Sequence, residues 1–254
     1  KLVIVQVGED PASTAYVKQK IKACEKVGME CEHRLLAESI TLAELLRQIS
    51  ECNNNATITG FIVQMPLPKH LQEFAKEIQE LMDPKKDVDG FHPVNIAKLE
   101  AGETSGFLPA TPAGVMALLD AAGVQLDGKH AVVIGRSATV GKPLAILLQQ
   151  RGMTVDVVHR GTEDPAAVMR KADVLCAAAG SPKLVKATMV KPGAVVIDIG
   201  LTRVGDDLIG DVDFDAVKEV ASMITPVPGG VGPMTVASLL LNCVKAAEQK
   251  TSSL

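Results

Sequence analysis

Short, uninterrupted apolar runs alternate along this chain with longer stretches in which apolar residues recur every three or four positions. The runs are LVIVQV (2–7), GFIVQM (60–65), HAVVIG (130–135), VDVVH (155–159), DVLCAAAG (173–180) and AVVIDIG (194–200). Strands that are hydrophobic on both faces belong in parallel sheets covered by helices, so each run predicts a buried strand. The amphipathic stretches predict helices over 13–27, 41–53, 70–82, 112–122, 141–151, 164–171, 213–220 and 234–249. Strands and helices taken in turn define an α/β protein. No fixed-period repeat or low-complexity segment interrupts the pattern.

Two clusters of breakers divide it. In GFLPATPAG (106–114), Thr111 is suited to cap the next helix, with Pro112 at its first position. In TPVPGGVGPMT (225–235), a second group of prolines and glycines precedes one last helix. A lone trailing helix implies that the chain returns to its first domain. The expected division is therefore 1–112 completed by 233–254, and a second domain over 113–232, with ligands in the cleft between them.

Composition narrows the class. The 254 residues are 47% hydrophobic, enough for a sizeable core, and only 2% aromatic. A formal charge of −4, with both signs interspersed, argues against a nucleic-acid or membrane-surface binder, which would carry a basic stripe. The five cysteines form no C-x-x-C pair and read as reduced thiols of a cytosolic-type compartment, with no metal site or disulfide framework. No apolar run reaches the ~20 residues that span a bilayer. The chain opens in the strand-like KLVIVQVG without Met, so further residues are expected before Lys1.

Candidate chemistry sits at the ends of the predicted strands. VVIGRSATVGKPLAILL (132–148) runs strand, turn, helix, the place where an α/β unit holds phosphate. Gly135 and Gly141 are six apart, so this is no G-x-G-x-x-G, and Pro143 after Lys142 excludes the P-loop. A plain strand–helix connection is the other reading. Arg160, ending the next strand, suits a ribose 2′-phosphate or a solvated surface. Gln64 ends a buried run, and its amide needs hydrogen-bond partners wherever it lies. Asp87 and Asp89 precede Gly90 and by themselves read as turn-formers; His92 carries no assignment. Tyr16 is the only tyrosine, and at i+4 helical spacing it shares a face with Lys20.

Seven stretches, in order, resemble the bifunctional methylenetetrahydrofolate dehydrogenase/cyclohydrolase family: VGEDPASTAYVKQK, GFIVQMPLP, KDVDGFHPVN, PATPAG, GRSATVGKP, VIDIG and TPVPGGVGPMT. The resemblance implies two α/β domains around a cleft, the second a Rossmann-like doubly wound parallel sheet. It implies oxidation of 5,10-methylenetetrahydrofolate and hydrolysis of the methenyl product to 10-formyltetrahydrofolate, in one-carbon metabolism serving purine biosynthesis. Lys20 matches the family's catalytic lysine, Tyr16 the ring beside folate, Gln64 the amide orienting the lysine, and Asp89 the acid on the pterin edge. Val63 and Met65 flank that amide in the substrate site. Pro228, Gly229, Gly230, Val231, Gly232 and Pro233 match a loop closing over folate. Gly135, Arg136 and Ser137 match the cofactor turn, His159 and Arg160 the 2′-phosphate position, and Gly200 and Leu201 the backbone that meets nicotinamide.

Three positions depart from the family pattern: Ala110 and Leu201 stand where Cys and Ile are commoner, and Val158-His159-Arg160 replaces Cys-His-Ser. Arg136 and Arg160 favour NADP, with NAD the alternative because some relatives with Arg here use it. A homodimer in the cytoplasm or an organelle matrix is also implied. The competing readings are a homologue that binds folate or nucleotide without catalysis, and another dehydrogenase on this fold, such as a shikimate-type enzyme.

Overall fold

A computed structural model of the chain describes residues 1–205 and 207–252. They divide into two compact units: residues 1–110 with those from 236 onward, and residues 111–235.

The first unit begins with β1 (Leu2–Val7), α1 (Pro11–Val27), β2 (Cys31–Leu36), α2 (Leu42–Asn54) and β3 (Gly60–Val63). The three strands are parallel in the order β2-β1-β3. β1 is buried along its whole length, as its unbroken apolar run requires. α1 starts where the Asp10 carboxylate accepts the Ser13 N–H, and stops at Gly28, whose φ of 70° is left-handed. A Thr41–Glu44 capping box starts α2. The predicted helix over 70–82 is instead a 3-10 turn (Lys69–Phe74) followed by α3 (Ala75–Leu81). α4 (Pro93–Glu100) was not expected from the pattern. Its start is capped by His92, whose Nδ1 accepts the Val94 N–H at 3.1 Å while Nε2 faces the Glu80 carbonyl at 3.3 Å.

β2 also escaped the apolar pattern, for a physical reason. It is an edge strand whose polar residues Glu32 and Arg34 pair with each other at 2.6 Å, and Arg34 with Glu51 at 3.2 Å.

The second unit runs from α5 (Ala110–Ala121) through β4 (His130–Ile134), α6 (Gly141–Gln150), β5 (Thr154–Val158), α7 (Pro165–Met169), β6 (Val174–Ala177) and β7 (Val195–Asp198). A hairpin of β8 (Thr202–Val204) and β9 (Asp207–Ile209), α8 (Phe214–Val217) and β10 (Met223–Ile224) follow, ahead of α9 (Val231–Thr251). The parallel order is β10-β7-β6-β4-β5, so connections diverge from β4 to either side. That divergence creates a ligand-binding switch point at the carboxyl end of β4. β5, expected to be buried on both faces, is an edge strand with Thr154, Asp156 and Val157 exposed.

Thr111 is not the cap of α5. The helix begins one residue earlier, at Ala110, and the Thr111 and Thr235 hydroxyls lie 3.1 Å apart. α9 starts at Val231 rather than at 234, and Ser253 and Leu254 of the expected last segment lie outside the described residues. From Val236 onward, α9 belongs to the first unit. There Leu239, Leu240, Cys243 and Ala246 join a core with Leu2, Ile4, Val17, Ile62 and Phe107. Among the described residues, no helix is long and apolar enough to cross a membrane.

Candidate active site

The buried face of α1 carries Ser13, Val17, Lys20 and Cys24, at helical spacing. A lysine thus stands in a stripe that otherwise packs against the core, with only 8% of its surface exposed. Long cationic side chains are seldom buried so fully without a task or a partner. Its Nζ donates to Gln64 Oε1 at 3.1 Å. Gln64 follows β3 directly: its backbone N–H still bonds to the Val5 carbonyl at 2.8 Å, continuing the ladder by one step. The amide Nε2 donates to the Met65 carbonyl at 2.7 Å, which leaves Oε1 turned toward Lys20. Ser13 Oγ donates to the same carbonyl at 3.3 Å, tying α1 to the end of β3. Val63 is buried, Met65 partly so, and Tyr16 lies half-buried one turn before Lys20, its phenol pushed upward in pKa by burial.

The two aspartates that the sequence left alike are separated by the structure. The Asp87 carboxylate is consumed internally, accepting the His92 N–H at 2.7 Å and Asn95 Nδ2 at 2.9 Å. Burial also raises its pKa above the usual carboxylate range. Asp89 is raised likewise by desolvation, and the only charge acting against that is the Lys20 ammonium. Lys20 and Gln64 are thus bonded directly, and the half-buried Asp89 lies within electrostatic range of the Lys20 ammonium: a donor, a fixed amide and a carboxyl.

In the second unit, the candidates line the carboxyl ends of β4, β5 and β7. The turn after β4 is tight: Gly135 has a φ of 107°, and a Cβ there would stand 2.2 Å from the Ala178 carbonyl. A Cβ on Gly141 would stand 2.2 Å from the Gly135 carbonyl. Ser137 Oγ accepts from the N–H groups of Val140 and Gly141, both at 3.2 Å, closing the turn onto α6. Arg136 is exposed on it. After β5, His159 Nδ1 accepts the Gly161 N–H at 3.0 Å, with Arg160 exposed beside it. Gly200 is buried, Leu201 half-buried. Of the 225–233 stretch, Val231 is buried, Gly230 half-buried, and Pro228, Gly229, Gly232 and Pro233 exposed.

Two acids behind Gly200 were missed. Asp198 accepts from Gly200, Asp211 and Val212 N–H groups at 3.2, 2.9 and 2.9 Å. Asp211 accepts from Ala179, Gly180 and Ser181 N–H groups at 2.6, 2.9 and 2.7 Å. Together they fasten the loops leaving β6 and β7. The available signal was an acid inside the apolar run AVVIDIG.

Burial pushes the Asp198 carboxyl up to about 6, against the backbone donors that favour its ionised form. An aspartate ordinarily titrates near ~3.9, so between those values the folded state holds a proton that the unfolded chain has lost. Stability from this group is therefore present in acid and is lost as pH rises through about 6. The expected loss is up to about 2–3 kcal/mol. Thermal unfolding of wild type and Asp198→Asn at pH 5, 6 and 7 checks it: the variant's profile should lack this component, whatever its absolute stability. Identical slopes would remove Asp198 as the source.

Comparison with known proteins gives consistent matches. Residues 1–89 match the family described as tetrahydrofolate dehydrogenase/cyclohydrolase, catalytic domain, and residues 109–251 match its NAD(P)-binding domain. A bifunctional protein FolD of Helicobacter acinonychis is 50% identical over 251 residues, covering 98% of this chain and 85% of that one. The crystal structure of the bifunctional enzyme FolD (methylenetetrahydrofolate dehydrogenase/cyclohydrolase) from Campylobacter jejuni superposes with a TM-score of 0.94 at 47% identity, covering 98% and 88%. The corresponding Trypanosoma brucei enzyme, solved with NADP and an inhibitor, gives 0.94 at 37% identity, covering 98% and 87%.

Proposed function

We propose a division of labour between the two units of a chain that belongs to the tetrahydrofolate dehydrogenase/cyclohydrolase family. The protein oxidises 5,10-methylenetetrahydrofolate to the methenyl form with NADP, and hydrolyses the methenyl form to 10-formyltetrahydrofolate. In the proposed division, the first unit holds folate and moves the proton, and the second holds the cofactor. The observation that carries this reading is the buried hydrogen bond from Lys20 to Gln64, with Asp89 beside it.

A pterin edge presents ring N–H and amino donors, which the Asp89 carboxylate accepts as charge-assisted bonds. Tyr16 lays a flat amphipathic ring along the aminobenzoyl group. Loss of hydride from the one-carbon bridge leaves a cation, and this step needs orientation but no proton acceptor. Hydrolysis does need one. Water adds through oxygen to the methenyl carbon, the carbon–N5 bond breaks, N5 keeps one proton and another is released. Lys20, aimed by Gln64, handles that proton traffic. Val63 and Met65 border the same site.

The glycine turn fits a dinucleotide. A Cβ at Gly135 or Gly141 would strike the Ala178 or the Gly135 carbonyl, so the two glycines permit the tight turn and the close helix–strand packing that a dinucleotide fold uses. Gly135, Arg136 and Ser137 would hold the pyrophosphate, His159 and Arg160 the adenosine ribose, and Gly200 with Leu201 the nicotinamide. When bound, NADP supplies the hydride acceptor.

Arg160 is the proposed reader of the 2′-phosphate. Arg160→Ala is expected to raise the KM for NADP about tenfold and leave that for NAD nearly unchanged, since only NADP loses a charge-assisted bond. Equal effects on both would show that Arg160 does not read the phosphate. The whole reading is tested by following methenyl formation with NADP and NAD side by side, then methenyl hydrolysis on the same preparation; failure of either activity overturns it. The family resemblance further supports a homodimer and a cytoplasmic or organelle-matrix setting.

A further inference from the structure

Asn242 lies on α9 with 8% of its surface exposed, among the apolar residues that pack into the first unit. Its Nδ2 donates both hydrogens, to the Val88 carbonyl at 2.8 Å and to the Leu108 carbonyl at 2.9 Å. These carbonyls bracket Asp89 from two sides. Val88 is its chain neighbour. Leu108 packs against the peptide that follows it, since a Cβ on Gly90 (φ 76°) would come within 2.6 Å of the Leu108 carbonyl carbon. The Asp89 carbonyl itself accepts the Ala110 N–H at 3.3 Å. Its side chain is thereby left free of the work of holding its own turn, in contrast to Asp87.

We propose that Asn242 is a positioning residue for folate recognition: by bridging the Val88 and Leu108 carbonyls it fixes the backbone that aims the Asp89 carboxylate. A leucine here would match the volume of the side chain; what the amide supplies is a pair of donors at a fixed separation, to a buried carbonyl at Val88 and a partly buried one at Leu108. The inference rests on the reading of Asp89 as the pterin acceptor.

The test is a double-mutant cycle on the full chain, read as the KM for methenyltetrahydrofolate hydrolysis, with NADP affinity measured by fluorescence titration. Asn242→Leu and Asp89→Asn should each raise the folate KM, by about tenfold for the loss of one well-placed interaction, with NADP affinity within about twofold of wild type. The double variant should be no worse than the worse single, because Asn242 acts through Asp89. Independent, multiplying effects would overturn the inference, as would an Asn242→Leu protein with unchanged KM. An unchanged KM in Asp89→Asn would overturn the reading of Asp89 and take the inference with it. If Asn242→Leu does not fold, Asn242→Gln, which keeps both donors at a longer reach, carries the same cycle. Its smaller KM shift must disappear in the Asp89→Asn background.

Discussion

Replacing Lys20 by Met is expected to lower methenyl hydrolysis by about a hundredfold or more, the range for losing a positioned acid–base group, while part of the dehydrogenase activity survives. The two reactions differ in their need for this side chain. Hydride loss creates a cation and moves no proton, whereas hydrolysis cannot finish without proton transfer. The structure shows why the variant should still fold, and at what cost. Lys20 sits in an otherwise apolar stripe between Val17 and Cys24, so Met fills its volume. Asp89 loses the one charge that favours its ionised form, and takes up a proton in place of standing as an unpaired carboxylate. The cost is one unsatisfied amide oxygen on Gln64, about 1–3 kcal/mol. Lys18 and Lys22 are exposed on the same helix and serve as controls. Separate assays of methenyl formation and hydrolysis decide the matter: full hydrolysis by Lys20→Met, or equal damage from Lys18→Met, would sink the assignment.

The second large effect is expected from Gly141→Ala. The added Cβ would lie 2.2 Å from the Gly135 carbonyl oxygen, 2.7 Å from its carbon and 3.0 Å from the Arg136 Cα. All three are backbone, so no side chain can swing aside. α6 must move away from the turn, opening the joint that Ser137 Oγ closes through the Val140 and Gly141 N–H groups. Overpacking of this kind costs about 1–3 kcal/mol, and the distortion falls on the dinucleotide turn. NADP affinity should therefore fall at least about tenfold, equivalent to ~1.4 kcal/mol, with methenyl hydrolysis much less affected. Fluorescence titration with NADP measures the first and a hydrolysis assay the second. Wild-type NADP affinity in this variant would show that the turn is only a connection.

Most of the strands the apolar runs revealed are buried on both faces, such as β1, β4 and β6, the edge strand β5 being the exception. β2 stayed hidden because this edge strand carries three consecutive polar residues, Glu32, His33 and Arg34, and β10 because two residues carry no periodicity. α4 was masked by the breakers around His92 and Pro93. The chemistry was legible where one residue type is out of place in its run: Gln64 after GFIV, or the sole tyrosine beside a lysine. It was illegible where partners decide the role. Asp87 and Asp89 are indistinguishable on paper, and only the bonds from His92 and Asn95 show which carboxylate is spent on structure. Asn242 and Asp211 are distant in sequence from everything they organise.

The return of α9 to the first unit has a consequence for biosynthesis. The residues that complete the first core, Leu239 to Ala246, leave the ribosome after the whole of 111–235. Until then the nascent first unit displays the apolar faces of Leu2, Ile4, Val17 and Phe107 without their cover, while the second unit has all its strands in hand. Domains usually fold in the order in which they are made. Here only one face of the first sheet can follow that order: the core of Val3, Leu45 and Ile49 lies wholly within the early segment, while the core of Leu2 and Ile4 is completed by the segment emerging last.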